Sequence, residues 1–338
     1  MIIAEAGVNH NGSLVMARKL IDIAAEAKVD YIKFQTFKAE LNVSKTAIKA
    51  IYQKVNTLTD NETQLELVKK LELKFEDFKK LYEYCLTKKV GFLSTGFDLP
   101  SLDFLDDIGQ EFFKIPSGEI TNKPYLQYIA RKGKPVIMST GMATMAEINA
   151  AFEILIEQGL SKEQITVLHC NSGYPTPMLD VNLKAMLTIK RELGVDIGYS
   201  DHTVGIEIPI AAVALGATII EKHFTIDRNL PGPDHKSSLE PEELKSMVSA
   251  IRNVEIAMGG SGLKNPMPSE LSNIIAARKS IHTAKPIKEG EVITLDHLIM
   301  KRPGDGISPM EVESIIGRVC MVNIDSDSKL TWDCIKKQ

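Results

Sequence analysis

The chain of 338 residues has little of what marks secreted, membrane or nucleic-acid-binding proteins. It has four cysteines, Cys85, Cys170, Cys320 and Cys334, with no close pair among them. That argues against a disulfide framework and for reduced thiols in a cytoplasm. The longest apolar stretch, Pro209 to Ile220, is about twelve residues, too short to cross a bilayer. Glu5 interrupts the first apolar residues almost at once, so no secretory leader is expected. There is no basic block either: 40 Lys and Arg stand against 44 Asp and Glu, a net charge of −4, which argues against nucleic acid or an anionic membrane as the main partner. What remains, 44% hydrophobic and 25% charged residues, is the composition of an ordinary soluble protein.

The length is about twice the prior for one domain, so one large barrel or two domains are expected. Eight short β-rich runs recur along the first 220 residues: Ile2–Ala4, Tyr31–Phe34, Gly91–Leu93, Phe112–Ile115, Pro135–Met138, Ile165–Leu168, Asp196–Tyr199 and Thr218–Ile220. Helical periodicity lies between them, as in Leu14–Ala27, where Leu20, Ile23, Ala24 and Ala27 share a face. Strands alternating with helices predict a parallel α/β fold. Each run ends in polar groups: Glu5; Lys33 and Gln35; Ser94 and Thr95; Lys114 and Ser117; Ser139 and Thr140; His169 and Asn171; Ser200, Asp201 and His202; Glu221 and His223. A (β/α)8 barrel brings all its strand ends to one mouth, whereas an open sheet uses mainly one switch point. The even distribution predicts a TIM barrel over residues 1–258, with the polar excursion Lys38 to Lys70 covering the site. Gly259-Gly260-Ser261-Gly262 and Asn265-Pro266-Met267-Pro268 open an expected linker at 259–276, and the runs and turns of 277–338 predict a small β-rich domain.

Glu5-Ala6-Gly7-Val8-Asn9-His10-Asn11-Gly12 reads as a turn bent at Asn11-Gly12 with Ser13 as a helix N-cap. Glu5 does not fit that reading, because a carboxylate ending a buried strand needs partners or a function. Lys33 and Lys114 sit among apolar residues. Each can form a Schiff base if its pKa is depressed, or stay charged and hold an anion. With Ser94, Thr95, Ser117 and Ser139 on neighbouring strand ends, a phosphate is the better match. His202 and His223 end adjacent strands and can share a metal, their rings oriented by the neighbouring carboxylates Asp201 and Glu221. His169-Cys170 reads as a core histidine beside a buried thiol, and His235 as a surface-loop residue next to Asp234.

In order along the chain stand EAGVNHNG, KFQTFKAE, FLSTGFD, KIPSGE, STGMA, HCNSGYPTP, YSDHT, EKHFT, GPDH and KRPGDGIS. These blocks closely resemble the bacterial sialic acid (nonulosonic acid) synthase family. The resemblance implies a TIM barrel followed by a small antifreeze-like (SAF) domain, in a domain-swapped cytoplasmic homodimer. It implies that Lys33, Thr95, Lys114, Ser117, Ser139, Ser172 and Ser200 hold phosphoenolpyruvate, and that His202 and His223 bind a divalent ion, manganese first, magnesium or cobalt otherwise. Gln35, Glu119, Tyr174 and Asp234 match sugar or active-site contacts, Glu5 matches a catalytic carboxylate, and Arg302 resembles an arginine that reaches the partner's site. The implied reaction joins phosphoenolpyruvate to an N-acetylated amino sugar. KIPSGEITNKPYL and YSDHTVGI look more like the N,N'-diacetyllegionaminate branch than the N-acetylneuraminate branch.

Three departures from the family pattern stand out. The chain starts almost at its first strand, so the barrel floor is expected to be less covered. Gly96 replaces a proline, which should loosen the backbone beside Thr95, and Ser172 replaces asparagine or threonine. A Schiff-base aldolase on the same barrel and a non-catalytic carbohydrate- or ice-binding protein are the competing readings.

Overall fold

Burial alternates along the strands with a period of two, and this sets the architecture. The computed structural model describes residues 1–57 and 62–336. Positions 58–61 of the polar excursion and the last two residues of the expected 277–338 domain lie outside the described residues. The chain divides into two compact units, Met1–Gly259 and Gly260–Gln338.

The first unit holds eight strands: β1 Ile2–Gly7, β2 Tyr31–Thr36, β3 Gly91–Gly96, β4 Phe113–Ile115, β5 Val136–Ser139, β6 Ile165–Cys170, β7 Asp196–Asp201 and β8 Ile219–His223. They form one parallel sheet in the order β3-β2-β1-β8-β7-β6-β5-β4. β4 returns alongside β3 and nearly closes a barrel. At this seam the Gln110 side chain takes the place of a strand, its Oε1 accepting from the Ser94 N–H at 2.8 Å and its Nε2 donating to the Ser94 carbonyl at 3.1 Å. All eight runs expected from the sequence are strands, but most extend two or three residues further. The chemical groups therefore stand on the sheet itself.

The barrel interior is built in storeys. Ile3, Leu93, Phe112, Ile137, Leu168 and Ile219 pack as an apolar plug. Two residues further along the same strands, on the same face, come Glu5, Thr95, Lys114, Ser139, Cys170 and Glu221, all lining one cavity. The opposite faces, among them Ile2, Ala4, Phe34, Phe113, Val167 and Ile197, pack against the helices in the main core. The first helix, Leu14–Glu26, starts as its sequence predicts, with the Ser13 hydroxyl accepting from the Met16 N–H. Asn11 and Gly12 before it both have positive φ, the bend expected of an Asn-Gly pair.

The second unit has its own core, including Ile281, Ile287, Ile293, Ile307, Ile315 and Leu330. β9 Ser280–Thr283 and β10 Leu298–Lys301 pair antiparallel, and isolated bridges and short 3-10 turns supply the rest. The segment expected as a linker carries a helix, Pro268–Ala277. Among the described residues no helix is long and apolar enough to cross a membrane.

Candidate active site

The cavity at the mouth of the barrel measures about 620 Å³. Every site residue that the family resemblance implies in the first unit lines it: Glu5, Lys33, Gln35, Thr95, Lys114, Ser117, Glu119, Ser139, Ser172, Tyr174, Ser200, His202, His223 and Asp234. Arg302 belongs to the second unit, where it is exposed and donates from Nε to the Ala277 carbonyl at 3.0 Å.

At the centre Lys33 Nζ lies 2.9 Å from Glu5 Oε2, 3.6 Å from Glu221 Oε2 and 3.2 Å from Thr95 Oγ1. Both carboxyls and the ammonium are almost fully buried. The two acids share one lysine and titrate as a pair. Burial pushes Glu5 up to about 7, with Lys33 opposing and Glu221 reinforcing the rise. Glu221 feels the same burial, but Lys114 and Lys33 together hold its pKa below the usual carboxylate value, and Ser200 donates to it at 3.1 Å. The surroundings thus favour the protonated form more at Glu5 than at Glu221. Burial works against the charge on Lys33, yet Glu221 and Glu5 keep its pKa above the ordinary lysine value. Lys114, buried and donating to Ser139 Oγ at 2.6 Å, is shifted downward by burial. Two buried lysines thus share the cavity floor with two buried acids and the Thr95 and Ser139 hydroxyls. Glu5 is aimed by a bulge in β1 that ends at Gly7, whose φ is +51°. A Cβ at Gly7 would sit 3.3 Å from Gln35 Nε2 and from Glu5 Oε1, so a side chain there would crowd the acid as well as strain the backbone.

The two histidines meet with ring centroids 5.3 Å apart, and Tyr174 lies 4.2 Å from His202 and 5.7 Å from His223. His202 Nδ1 lies 2.6 Å from the Asn171 carbonyl oxygen. A carbonyl only accepts, so Nδ1 carries the hydrogen and Nε2 keeps its lone pair. Burial lowers His202 to about 4, and burial with the neighbouring His202 pushes His223 well below its ordinary value, so the site favours neutral rings. His223 Nδ1 is buried without a hydrogen-bond partner. Two neutral imidazoles, one with its tautomer fixed from behind, suit a divalent transition metal with open positions. Among the described residues no group of three or more His, Cys, Asp or Glu is gathered for a metal.

Several sequence expectations need correction. Asp201 does not orient a histidine: it faces outward, ion-pairs with Lys222 and accepts from Thr203 Oγ1 at 2.9 Å. Glu221 does not either, because it faces Lys33 inside the cavity. Its spacing of two from His223 puts both on one strand face, which was the available signal. Ser94 points away from the cavity and bonds Thr36 at 2.7 Å. His169 also faces outward, to the Val181 carbonyl at 2.9 Å, and β6 offers Cys170 to the cavity in its place. His235 is fully buried rather than on a surface loop. It bonds Thr225 Oγ1 at 2.6 Å and Asn11 Oδ1 at 3.2 Å, clasping the loop of Asp234 to the turn after β1. Gly96 is not loosened: it pairs with Thr36 in the sheet, and Tyr125 Oη donates to its carbonyl at 2.6 Å.

Fold and site together define a barrel enzyme whose one cavity gathers two buried lysines, two buried acids and a histidine pair. The NeuB family profile matches residues 20–262 and the SAF domain profile residues 278–336. The chain is 50% identical over 327 residues, 97% of each sequence, to N,N'-diacetyllegionaminic acid synthase of Campylobacter jejuni. It is 46% identical to the protein of the same name from Legionella pneumophila, over 99% of this chain and 94% of the other. Among solved structures, N-acetylneuraminic acid (sialic acid) synthetase from Leptospira borgpetersenii in complex with citrate superposes with a TM-score of 0.70 at 40% identity, covering 81% of this chain and 89% of that one. This chain belongs to the NeuB family, the nonulosonic acid synthases that its ordered motifs resemble.

Proposed function

We propose that the protein condenses phosphoenolpyruvate with an N-acylated mannosamine-type sugar and water, releasing phosphate and a nine-carbon 2-keto-3-deoxy acid, N,N'-diacetyllegionaminate. The observation that carries this reading is the storey of Glu5, Thr95, Lys114, Ser139 and Glu221 with Lys33 among them. Lys33 and Lys114 hold the phosphate, helped by the Thr95, Ser117 and Ser139 hydroxyls. His202 and His223 would hold the divalent ion, manganese by preference. Such an ion supplies Lewis-acid polarisation of the sugar aldehyde. Carbon–carbon bond formation from C3 of phosphoenolpyruvate leaves positive character at C2, which the Glu221 carboxylate faces. Water adds at C2 as Glu5 takes its proton, and the tetrahedral carbon then expels phosphate toward the lysines.

Phosphate release should require phosphoenolpyruvate, sugar and metal together. Full turnover in excess chelator, with metal removal confirmed, would defeat the histidine assignment. His223→Ala should lower the bound manganese, counted by atomic spectroscopy, while the circular dichroism of the barrel stays unchanged.

We further place the protein in the cytoplasm as a domain-swapped homodimer in which Arg302 completes the partner's site. Residues 259–267, ahead of the helix Pro268–Ala277, can reach roughly 30 Å when extended, enough to permit a swap. Complementation tests it. Mixing Arg302→Ala chains with Glu5→Ala chains should restore activity above either parent, because some mixed dimers carry one intact site. With exchange verified by mass spectrometry, a mixture no more active than its parents would reject shared sites.

A further inference from the structure

Besides its charged floor, the cavity has an apolar side. Val8, Phe37, Leu67 and Leu71 form a buried cluster with Val68 and Phe97 packed on it. All six also line the cavity. The segment between β2 and β3 supplies much of this wall and is docked over the mouth. Asn56 Nδ2 donates to the Pro233 carbonyl at 2.6 Å, beside Asp234. A Cβ on Gly12 would come within 2.4 Å of the Lys70 carbonyl oxygen, so the segment lies directly on the turn after β1. The polar groups that the segment adds to the lining are uncharged, chiefly the amides of Asn42, Gln53 and Gln64. Among the described residues it adds no lysine or arginine there.

We infer that this wall is the specificity determinant for the far end of the sugar, selecting a 6-deoxy chain with an acetamido group at C4. The inference rests on the synthase reading above. With phosphate on the lysines of the floor, C1 of the sugar must reach C3 of phosphoenolpyruvate, so C4 to C6 extend toward the mouth and the wall. A C6 methyl group meets Leu67, Val68 and Phe97 without giving up hydrogen bonds to water. A C6 hydroxyl against Leu67, Val68 and Phe97 loses water and gains no partner from those three side chains, which costs binding. The C4 acetamido group presents a methyl to the same apolar surface and an amide to side chains such as Gln64, which makes no hydrogen bond with another described residue. Among the described residues of the wall, a 6-phosphate would meet no cation. N-acetylmannosamine and 2,4-diacetamido-2,4,6-trideoxymannose share the aldehyde and the 2-acetamido group, so only this end can tell them apart.

The test compares kcat/KM at saturating phosphoenolpyruvate for 2,4-diacetamido-2,4,6-trideoxymannose, N-acetylmannosamine and N-acetylmannosamine 6-phosphate. The first should exceed the second by about 10- to 100-fold, and the third should not react. Val68→Asn, at a half-buried position, should cut that preference by roughly tenfold, the scale of one apolar contact. The change should appear mainly in the KM of the sugar, with the KM of phosphoenolpyruvate unmoved. Val43→Ser, at a half-buried position of the same segment that also lines the cavity, provides a second variant if the first folds poorly. Equal use of the two unphosphorylated sugars, or a preference unmoved in both variants, would overturn the inference and leave the synthase reading standing. Phosphate release with none of the sugars, despite bound phosphoenolpyruvate, would overturn both.

Discussion

Replacing Glu5 with Gln is expected to lower kcat about 10²- to 10⁴-fold, the range for losing a positioned general base. The amide keeps the shape and the contact with Gln35, 3.3 Å away, but cannot take a proton from water. Taking that proton requires the carboxylate, and burial holds Glu5 at about 7. The kcat/KM of the native enzyme should therefore fall on the acid side of about pH 7, and the Gln variant should lose that limb of the profile. A native profile flat through this region, or a limb that persists in the variant, would remove Glu5 from proton transfer. The same shift has a signed consequence for stability. Between the ordinary carboxylate value of 4.5 and about 7, the native state binds the proton and the unfolded chain does not. The contribution of this group is thus fully present below 4.5 and is lost as pH rises through about 7.

Lys222→Met should produce the largest loss of stability in the barrel, about 3–5 kcal/mol, because it strands the Asp201 carboxylate inside the protein. Lys222 and Asp201 are both fully buried, ion-paired across β7 and β8 behind His202 and His223, and Lys222 also donates to the Thr203 carbonyl. Urea unfolding followed by far-ultraviolet circular dichroism measures the loss. The double variant Lys222→Met with Asp201→Leu should recover most of it, since an apolar pair leaves no buried charge unmatched. A single-variant loss below about 1 kcal/mol would show that the pair is not held as buried ions.

The strand–helix alternation and the site were legible for one physical reason. A parallel barrel strand is apolar until its last residues, so Glu5, Lys33, Lys114, His202 and His223 stand out against their neighbours. What the sequence hid was direction. Asp201 and Lys222 look as catalytic as Glu221, yet one residue of offset sends them to the helix side of the sheet. His235 looked like a loop residue because its Gly-Pro-Asp context reads as a turn, while its partners Thr225 and Asn11 lie 10 and 224 residues away in the chain. The sugar-facing wall was invisible for the same reason. It joins Val8, Phe37 and Phe97 to a polar-looking excursion, and only the folded chain brings them together.

The plug of Ile3, Leu93, Phe112, Ile137, Leu168 and Ile219 closes the barrel from below, so traffic passes through the mouth alone. Lys114 stands directly above that plug and Lys33 bonds across the same storey, whereas the sugar wall stands at the entrance. A cavity with one door and its anion seat at the back imposes a queue. On the proposed reaction, phosphoenolpyruvate would enter before the sugar blocks its path, and the nine-carbon product would leave before phosphate follows. The depth at which each strand places its side chain would then set the order of the kinetic mechanism.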